Sequence, residues 1–169
     1  MKKALCVILI LSLLLLPACN TPEKKIQDPV FFYYRQLELD YGANPGVLNK
    51  EVREAAGHRQ DYSYLLTEYF KGPADFSSYN PFPSNTSLKE FSLQGDTAFV
   101  DLNYSFSSLT GLDLSIACAC ITLTVCEMTG SRQVTISAQH GLLDGTPSIT
   151  MTPDSLLMLD DSNIVIPPE

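Results

Sequence analysis

The cysteines are the residues of this chain whose type and spacing are best suited to chemistry. Cys118, Cys120 and Cys126 share one apolar stretch, far from Cys6 and Cys19 near the amino terminus. In a helix, Cys118 and Cys120 would lie about 200° apart around the axis; in a strand, neighbouring cysteines would be about 6.6 Å or more apart. Neither geometry gathers three sulfur atoms about 2.3 Å from one zinc ion or readily closes a local disulfide. We therefore interpret these thiols as small buried hydrophobic residues, with oxidation or an intermolecular disulfide left open.

The two histidines, His58 and His140, are the other residues that could bind a metal ion or transfer protons. Neither has a second histidine nearby in the sequence, so we predict surface polar roles. A metal site that adds His140 to the cysteines is the weaker alternative. The sequence also lacks the patterns of a nucleophile elbow, a Ser-x-x-Lys dyad and a His-Glu-x-x-His zinc site. We expect no catalytic residue, no metal and no cofactor.

The composition excludes several classes of partner. The chain has 169 residues and a net charge of −8, with 45% hydrophobic and 18% charged residues, which is typical of a folded globular domain. After the first residues, Lys24-Lys25 is the longest basic run. An acidic chain without a basic patch is not expected to bind nucleic acid through phosphate contacts, nor to adhere to anionic lipid by charge.

The amino terminus has the layout of an export signal. Met1-Lys2-Lys3 is cationic, and residues 4–16 are apolar apart from Ser12. This run of 13 residues is too short to cross a hydrocarbon core of about 30 Å, but it fits the apolar region of a signal peptide.

The apolar run ends in Leu16-Pro17-Ala18-Cys19, which resembles the bacterial lipobox. The resemblance implies that a diacylglycerol is attached to the Cys19 thiol and that residues 1–18 are removed as a lipoprotein signal peptide. A second acyl chain on the new amino terminus would make the anchor stable. A secreted protein with a chance cysteine at this place is the alternative. Removal of the leader would leave 151 residues with a net charge of −10, because Lys2 and Lys3 are lost.

Residues 19–29 are predicted to be the lipid anchor and tether. They are polar, contain two prolines and show no apolar periodicity. A flexible tether of about ten residues spans roughly 17–19 Å root-mean-square. We therefore predict that one domain, residues 30–160, is held at the extracytoplasmic face of the cell membrane, followed by a tail at residues 161–169.

The first half of the predicted domain combines strands with one helix. Residues 30–39 are typical of a strand, and residues 47–52 form a second strand or the start of a helix. Asp61 is a candidate helix cap, and Lys71-Gly72-Pro73 provides a helix end. Between them, the apolar residues recur at steps of three and four, which predicts one buried helical face: Tyr62, Leu65, Leu66, Tyr69 and Phe70.

The second half contains a hairpin and an ambiguous apolar segment. Residues 88–93 and 97–102 flank Gly95 and predict a hairpin. Residues 112–128 are apolar almost all round; their length favours a helix, while their alternation also allows a buried strand. The remaining segments predict a strand, a turn and a weak strand, at residues 132–138, 141–145 and 149–158. The order favours an α+β fold, with a small mixed β-sheet and two helices packed on one face.

Tyrosines outside the predicted helices are candidate contact residues. Tyrosine is efficient in binding surfaces, although burial in the core is the commoner fate of a strand tyrosine. Because the chain has no Trp, any sugar-stacking platform would use Tyr or Phe. The candidates are Tyr33, Tyr34, Tyr41, Tyr79 and Tyr104.

Five short motifs, in order along residues 62–139, resemble the GerMN domain of sporulation and spore-germination lipoproteins. They are the helix end at residues 69–73, the proline-led segment at 82–88, the Gly-containing hairpin at 93–106, Ile-Thr-Leu-Thr at 121–124 and the closing strand at 132–136. The resemblance implies that the ambiguous apolar segment is a helix. It also implies a non-catalytic domain that binds protein or cell-wall material at the outer surface of an endospore-forming bacterium.

The lipobox-like segment predicts a lipid-anchored extracytoplasmic protein, and the resemblance to the GerMN domain implies that it acts in sporulation or germination. Its expected partners are the membrane, through the anchor, and an envelope protein or peptidoglycan; no nucleic acid is expected. The alternative is a lipid-anchored hydrolase that modifies the cell wall with two carboxylates. Asp160 and Asp161 are adjacent candidates for such a pair, although a solvated chain end explains them better. A transporter's substrate-binding lipoprotein would need two lobes, for which the chain is too short.

Overall fold

The computed structural model describes residues 26–37, 47–142 and 145–156. The predicted leader, Cys19, Tyr41, the Asp160-Asp161 pair and the predicted tail lie outside these residues. Along the described chain the elements are β1 (Pro29–Gln36), β2 (Leu48–Glu54), α1 (Tyr62–Phe70), β3 (Ser78–Tyr79), β4 (Leu88–Gln94), β5 (Thr97–Leu102), a 3₁₀ turn (Tyr104–Ser108), α2 (Gly111–Thr129), β6 (Gln133–Leu142), β7 (Thr146–Met151) and a 3₁₀ turn (Pro153–Ser155).

The first sheet is antiparallel, with the strand order β2-β1-β3. Successive side chains of a strand point to opposite faces of the sheet. In β1 the inward residues Val30, Phe32 and Tyr34 are buried, whereas Phe31 and Tyr33 on the opposite face are partly exposed. One face of this sheet therefore belongs to the core and the other faces outward.

The second sheet has the strand order β4-β5-β6-β7. Strands β4 and β5 form the predicted hairpin, whereas β5 and β6 are parallel and are joined through α2. Ala98, Val100, Val134 and Ile136 are fully buried on the inner face. A parallel pair needs a long crossover connection, usually a helix, and α2 is that crossover.

Helix α1 begins and ends where the sequence predicts. The Asp61 carboxylate accepts a hydrogen bond from the backbone N–H of Tyr64, with 3.0 Å between the atoms, which satisfies a helix N-terminal donor. After the helix, Gly72 has φ +100°, and a Cβ atom there would lie 2.8 Å from the Asn80 side-chain nitrogen. Only glycine fits this position without a shift of its neighbour. The buried face of α1 consists of Leu65, Leu66, Tyr69 and Phe70, whereas Tyr62, predicted on the same face, is only partly buried.

Helix α2 is buried over most of its surface. Its side chains contact both sheets: Thr124 bonds to β1, and Ile121 and Val125 belong to the same buried cluster as Val100 and Ile136. By length and hydropathy α2 could cross a membrane, but 61% of its most apolar window is buried inside the domain. Burial on several sides explains why this segment is apolar almost all round.

The predicted α+β class and its two helices are confirmed, and the ambiguous apolar segment is a helix. The strands form two sheets instead of one. On the edge of β1 that faces away from β2, the two-residue β3 pairs with Arg35 and Gln36, and side chains of α2 and α1 bond to the backbone of Tyr33. For the segment 47–52, the strand alternative is confirmed, and the strand spans Leu48–Glu54. Strand β6 continues through Leu142 and takes in the start of the predicted turn, and β3 lies where only loop was expected.

Candidate functional site

The outer face of the first sheet carries aromatic and cationic side chains. The register pairs Phe31 with Val52 and Tyr33 with Lys50, so these four side chains share one face. The Lys50 ammonium lies 3.9 Å from the centroid of the Phe31 ring and 5.5 Å from that of Tyr33, within the range of cation–π attraction. We call these four residues, together with Tyr79 on β3, the aromatic face.

Glu127 of α2 joins the helix to the aromatic face. Its carboxylate accepts hydrogen bonds from the Tyr33 hydroxyl and the Lys50 ammonium, each at 2.6 Å. Burial alone would raise the pKa of Glu127, but the hydrogen bonds from Lys50 and Tyr33 lower it overall. The hydrogen bond to Glu127 raises the pKa of Lys50, while burial and the same carboxylate raise the pKa of Tyr33. At neutral pH the trio therefore holds one cation and one anion.

A cleft of about 420 Å³ continues from the aromatic face toward the start of α2. The Arg35 guanidinium and the Asp113 carboxylate form an ion pair of 3.2 Å at the cleft. The remaining wall is largely apolar, with side chains from the end of β1, the segment after β3 and the segment before α2: Leu37, Tyr79, Pro81, Phe82, Pro83, Leu109 and Ile116.

Large apolar side chains are exposed around this cleft. Leu37 and Tyr79 are each 56% exposed, and Phe76 is 95% exposed. The backbone N–H of Leu37 donates to the carbonyl of Ser77 at 3.0 Å, so Phe76, next in the chain to Ser77, lies at this end of the first sheet. The aromatic face and the cleft therefore form one surface, with Tyr79 in both.

The buried Phe82 ring connects the wall of the cleft to the hydrophobic core. It lies edge-on to the rings of Tyr69 and Phe70 of α1, with centroids 5.1 and 5.0 Å away, and 6.5 Å from Tyr34 of β1. Such edge-to-face aromatic pairs contribute about 0.5–1.5 kcal/mol each beyond their buried area. The proline-flanked segment 81–83 is thus positioned by helix and strand together.

A buried ion pair fixes the segment that leads to β3. Glu51, 8% exposed, accepts hydrogen bonds from Arg53 Nε at 2.5 Å and from the backbone N–H groups of Ala74 and Asp75. The Arg53 guanidinium in turn donates to the Tyr34 hydroxyl and the Gly72 carbonyl. These hydrogen bonds compensate the buried charges of Glu51 and Arg53. The pair therefore positions the segment at Ala74 and Asp75 and is not a candidate for acid–base catalysis.

The cysteines lie where the hydrophobic interpretation places them. Cys118 and Cys120 are buried and Cys126 is partly buried, and all three are free thiols. Burial raises the pKa of Cys118 to about 12 and also raises the pKa of Cys120 and Cys126. Over the described ranges, no group of three or more His, Cys, Asp or Glu side chains could hold a metal ion.

The two histidines lie apart, each beside a tyrosine. The His58 ring stacks on Tyr64 with centroids 3.8 Å apart, and the His140 ring lies edge-on to Tyr104 at 5.4 Å. Of the candidate contact tyrosines, Tyr34 is fully buried, Tyr33 is partly exposed, and Tyr79 and Tyr104 are exposed. Among these four described tyrosines, Tyr33 and Tyr79 come together on one surface, the aromatic face.

Sequence reasoning missed the cleft itself. Phe76 and the Glu51–Arg53 pair were not singled out, because the position of Phe76 at the cleft and the further partners of the pair depend on contacts between segments distant in the chain. One signal was available: Phe76 is a large apolar residue in a stretch of Ser, Asp and Pro without periodicity. Such a residue has no helical or strand face on which to be buried.

Comparison with known proteins assigns the chain to a family. The family model described as Germane, sporulation and spore germination, matches residues 32–141, more than half of the chain. A search of curated protein sequences gives no match. The tandem GerMN domains of the Bacillus subtilis sporulation protein GerM have the same fold, with a TM-score of 0.52, 17% identity, and coverage of 74% of this chain and 45% of that one.

Two further structures are similar. The first GerMN domain of that GerM protein aligns with a TM-score of 0.47 and 17% identity, over 70% of this chain and 92% of that one. A candidate lipoprotein of Clostridium perfringens aligns with a TM-score of 0.47 and 16% identity, over 75% and 87% of the two chains. Because the family match covers most of the domain described above, the chain belongs to the Germane family of sporulation and spore-germination proteins.

Proposed function

We propose that this protein is a lipid-anchored, extracytoplasmic interaction module that binds an envelope protein through the aromatic face and cleft during sporulation or germination. Membership of the Germane family supports a role in sporulation or germination. The lipobox-like segment that ends at Cys19 supports the lipid anchor, and the exposed apolar surface supports binding to a protein. The domain binds without catalysing a reaction.

The clustering of exposed apolar side chains carries this proposal. The described chain has nine exposed large hydrophobic residues, and four of them, Leu37, Val52, Phe76 and Tyr79, lie on the aromatic face or at the cleft. Single exposed apolar residues are normal, whereas contiguous apolar patches mark interaction sites. Tyrosine at the centre of such a patch is a frequent anchor of protein interfaces.

The position of the tether supports an outward-facing site. Cys19 would be joined to β1 by about ten residues, and β1 begins at Pro29. The cleft lies at the other end of the same strand, at Gln36 and Leu37. At about 3.3 Å per residue, the cleft is roughly 20 Å from the tethered end, so a partner can reach it without displacing the anchor.

The carboxylates at this surface support binding over hydrolysis. The cleft contains one carboxylate, Asp113, which is paired with Arg35, and Glu127 is paired with Lys50. A glycoside hydrolase needs two carboxyl groups about 5–9.5 Å apart, one of them able to donate a proton. At the aromatic face and cleft each described carboxylate is already paired with a cation.

The anchor is tested with Cys19→Ala in the full-length chain. We expect the variant to leave the membrane fraction while its circular dichroism and thermal midpoint match those of the domain released from wild type. Membrane retention of the Cys19→Ala variant in the absence of other membrane proteins would rule out the anchor.

The partner surface is tested by site-specific photocrosslinking in sporulating cells. A photoreactive phenylalanine analogue replaces Tyr79 in one strain and, as a matched control, the similarly exposed Tyr104 in another. We expect a discrete crosslinked protein from position 79 only, lost when Leu37 is also changed to Asp. Equal products from both positions, or none from position 79, would contradict the proposed surface.

A further inference from the structure

The outer face of the second sheet is almost entirely polar. The register places the outward side chains of β4 to β7 side by side. Three hydrogen-bonded pairs link them: Gln133 to Thr97, Thr135 to Thr150, and Ser137 to Asp101, at 2.7, 2.9 and 2.7 Å. The outward residues are Glu90, Ser92, Gln94, Thr97, Phe99, Asp101, Gln133, Thr135, Ser137, Ser148 and Thr150.

Phe99 is the one apolar side chain in this set. It is paired with Ser92 on β4 and with Thr135 on β6, so its neighbours on both strands are hydroxyl residues. It lines a shallow depression of about 170 Å³ together with Glu90, Ser92, Gln94, Asp101 and Ser137. The Phe99 ring is therefore partly exposed and surrounded by hydrogen-bonding groups, although burial in the core would be more favourable for an aromatic side chain.

The same depression holds a pair of like charges. Glu90 and Asp101 are directly opposite each other on β4 and β5. Like charges in this arrangement destabilise a sheet, and among the described residues neither carboxylate has a cation within ion-pair distance. Asp101 receives a hydrogen bond from the Ser137 hydroxyl, which leaves further acceptor positions of both carboxylates open. The pair therefore adds nothing to the stability of the sheet, and both carboxylates can accept hydrogen bonds from a ligand.

We propose that the depression around Phe99 is a saccharide-binding site, separate from the aromatic face and cleft. A pyranose ring has an apolar C–H face that can lie on the Phe99 ring and a rim of hydroxyl groups. The carboxylates of Glu90 and Asp101 accept charge-assisted hydrogen bonds from such hydroxyls. Ser92 and Gln94 supply both donors and acceptors on the β4 side.

The size and openness of the site fit one sugar unit of a longer glycan. Pockets for drug-sized ligands measure about 300–1,000 Å³, and this depression is well below that range. It lies on an open sheet face, so a polymer can continue beyond the bound ring. A cell-wall glycan strand is such a polymer, and it is present where an extracytoplasmic protein would act.

The test uses the mature chain, residues 19–169, with Cys19→Ala so that it stays in solution. The probe is the β-1,4-linked tetramer of N-acetylglucosamine, titrated to about 20 mM while backbone amide NMR shifts are followed. We expect saturable shifts at Ser92, Phe99 and Ser137, with an affinity at least about fivefold weaker in Phe99→Ala. Tyr79→Ala, on the other surface, is expected to leave the affinity unchanged.

Asp101→Asn separates a binding role from a structural one. The variant keeps an oxygen that can accept from Ser137 and removes the like-charge repulsion, so its stability should stay equal or rise. Its affinity for the tetramer should fall severalfold, because a charge-assisted hydrogen bond is lost.

Several results would overturn this proposal. They are an absence of shifts at these residues, shifts confined to the aromatic face, and shifts produced by calcium chloride but not by the tetramer. Cleavage of the tetramer, abolished by Glu90→Gln, would replace the proposal with a hydrolase. The partner proposed for the cleft would be unaffected by any of these results, because the crosslinking experiment reports on a different surface.

Discussion

The backbone N–H of Tyr33 donates a hydrogen bond to the hydroxyl oxygen of Thr124, with 2.9 Å between the two atoms. The Tyr33 carbonyl accepts from the Tyr69 hydroxyl at 2.8 Å. At Tyr33, the side of β1 that faces away from β2 is therefore completed by side chains of both helices, whereas β3 pairs with that side at Arg35 and Gln36. An open strand edge leaves unpaired backbone groups that invite further pairing, and here Thr124 and Tyr69 prevent it.

Thr124 and its neighbour Thr122 are expected to respond in opposite directions to the same substitution. Both are fully buried on α2. Thr124→Val removes the acceptor of the Tyr33 N–H and should lower the free energy of unfolding by about 1–3 kcal/mol. The Thr122 hydroxyl has no hydrogen-bond partner in the described structure, so Thr122→Val should raise the free energy of unfolding by about 1 kcal/mol.

Urea denaturation of wild type and of the two variants measures these changes in the free energy of unfolding. Each serves as the control of the other, because valine replaces threonine with the same shape on the same helix. Loss of stability in both variants would contradict the assignment of Thr122 as unpartnered.

Glu51→Gln is expected to destabilise the domain strongly. The substitution leaves the Arg53 guanidinium, 22% exposed, without its anion. Breaking a buried ion pair costs about 3–5 kcal/mol, and the partial exposure of Arg53 places the expected loss toward the lower end. The exposed pair of Lys71 and Glu68 provides a control, since Glu68→Gln should cost only about 0.2–1 kcal/mol.

Glu51→Gln should also alter the candidate site. Because Glu51 holds the backbone N–H groups of Ala74 and Asp75, the segment that carries Phe76 would lose its attachment. Faster amide hydrogen exchange at residues 74–77 in Glu51→Gln, but not in Glu68→Gln, would show this. Unchanged exchange in both would mean that other contacts hold the segment.

Local patterns were sufficient to predict helix α1 and the β4–β5 hairpin. The helix has a capping carboxylate at Asp61, an apolar face of period 3.6 and a glycine stop, and the hairpin has alternating residues around Gly95. Each signal acts between residues close in the chain. For α2, by contrast, burial on several sides removes the amphipathic pattern. Its length favoured a helix without excluding a strand, and the resemblance to a known domain decided between the two.

The division into two sheets and the candidate site depend on contacts that no local pattern encodes. Strand β3 contains two residues and exists because Arg35 and Gln36 pair with it. Tyr33 meets Glu127 across 94 positions of sequence. The sequence identified Tyr33 and Tyr79 as contact candidates but could not tell them from Tyr34, which alternation places on the buried face of the same strand.

The contribution of Glu127 to stability is expected to depend on pH. The pKa of Glu127 in the folded protein lies below its ordinary value of 4.5 because of hydrogen bonds from Lys50 and Tyr33, which outweigh burial. A carboxyl group whose pKa is lowered by folding stabilises the fold above its unfolded pKa, and this stabilisation is lost as the pH falls through the folded pKa. Glu127→Gln should therefore be less stable than wild type at pH 7, with a difference that shrinks below about pH 4.5.

A double-mutant cycle that combines Glu127→Gln with Lys50→Met isolates the interaction energy between Lys50 and Glu127. Urea midpoints of the four proteins at pH 7 and pH 3 give the coupling between Lys50 and Glu127. We expect coupling at pH 7 and none at pH 3. An equal coupling at both pH values would mean that packing, not charge, connects the two residues.

Alkylation should distinguish the three thiols of the domain. Cys118 and Cys120 are almost fully buried, and burial raises the pKa of Cys118 to about 12. Cys126 is only partly buried, although burial also raises its pKa above the ordinary value. Because the thiolate is the reactive form, iodoacetamide at pH 8 should modify Cys126 alone, and more slowly than a free cysteine.

Mass spectrometry of residues 19–169 with Cys19→Ala measures how many cysteines are alkylated. We expect one modification under native conditions and three in urea, since unfolding exposes Cys118 and Cys120. Modification of Cys118 as fast as that of Cys126 would contradict the packing of α2 against both sheets. Fewer than three modifications in urea without reductant would instead reveal an oxidised thiol, whereas Cys118, Cys120 and Cys126 are all free in this structure.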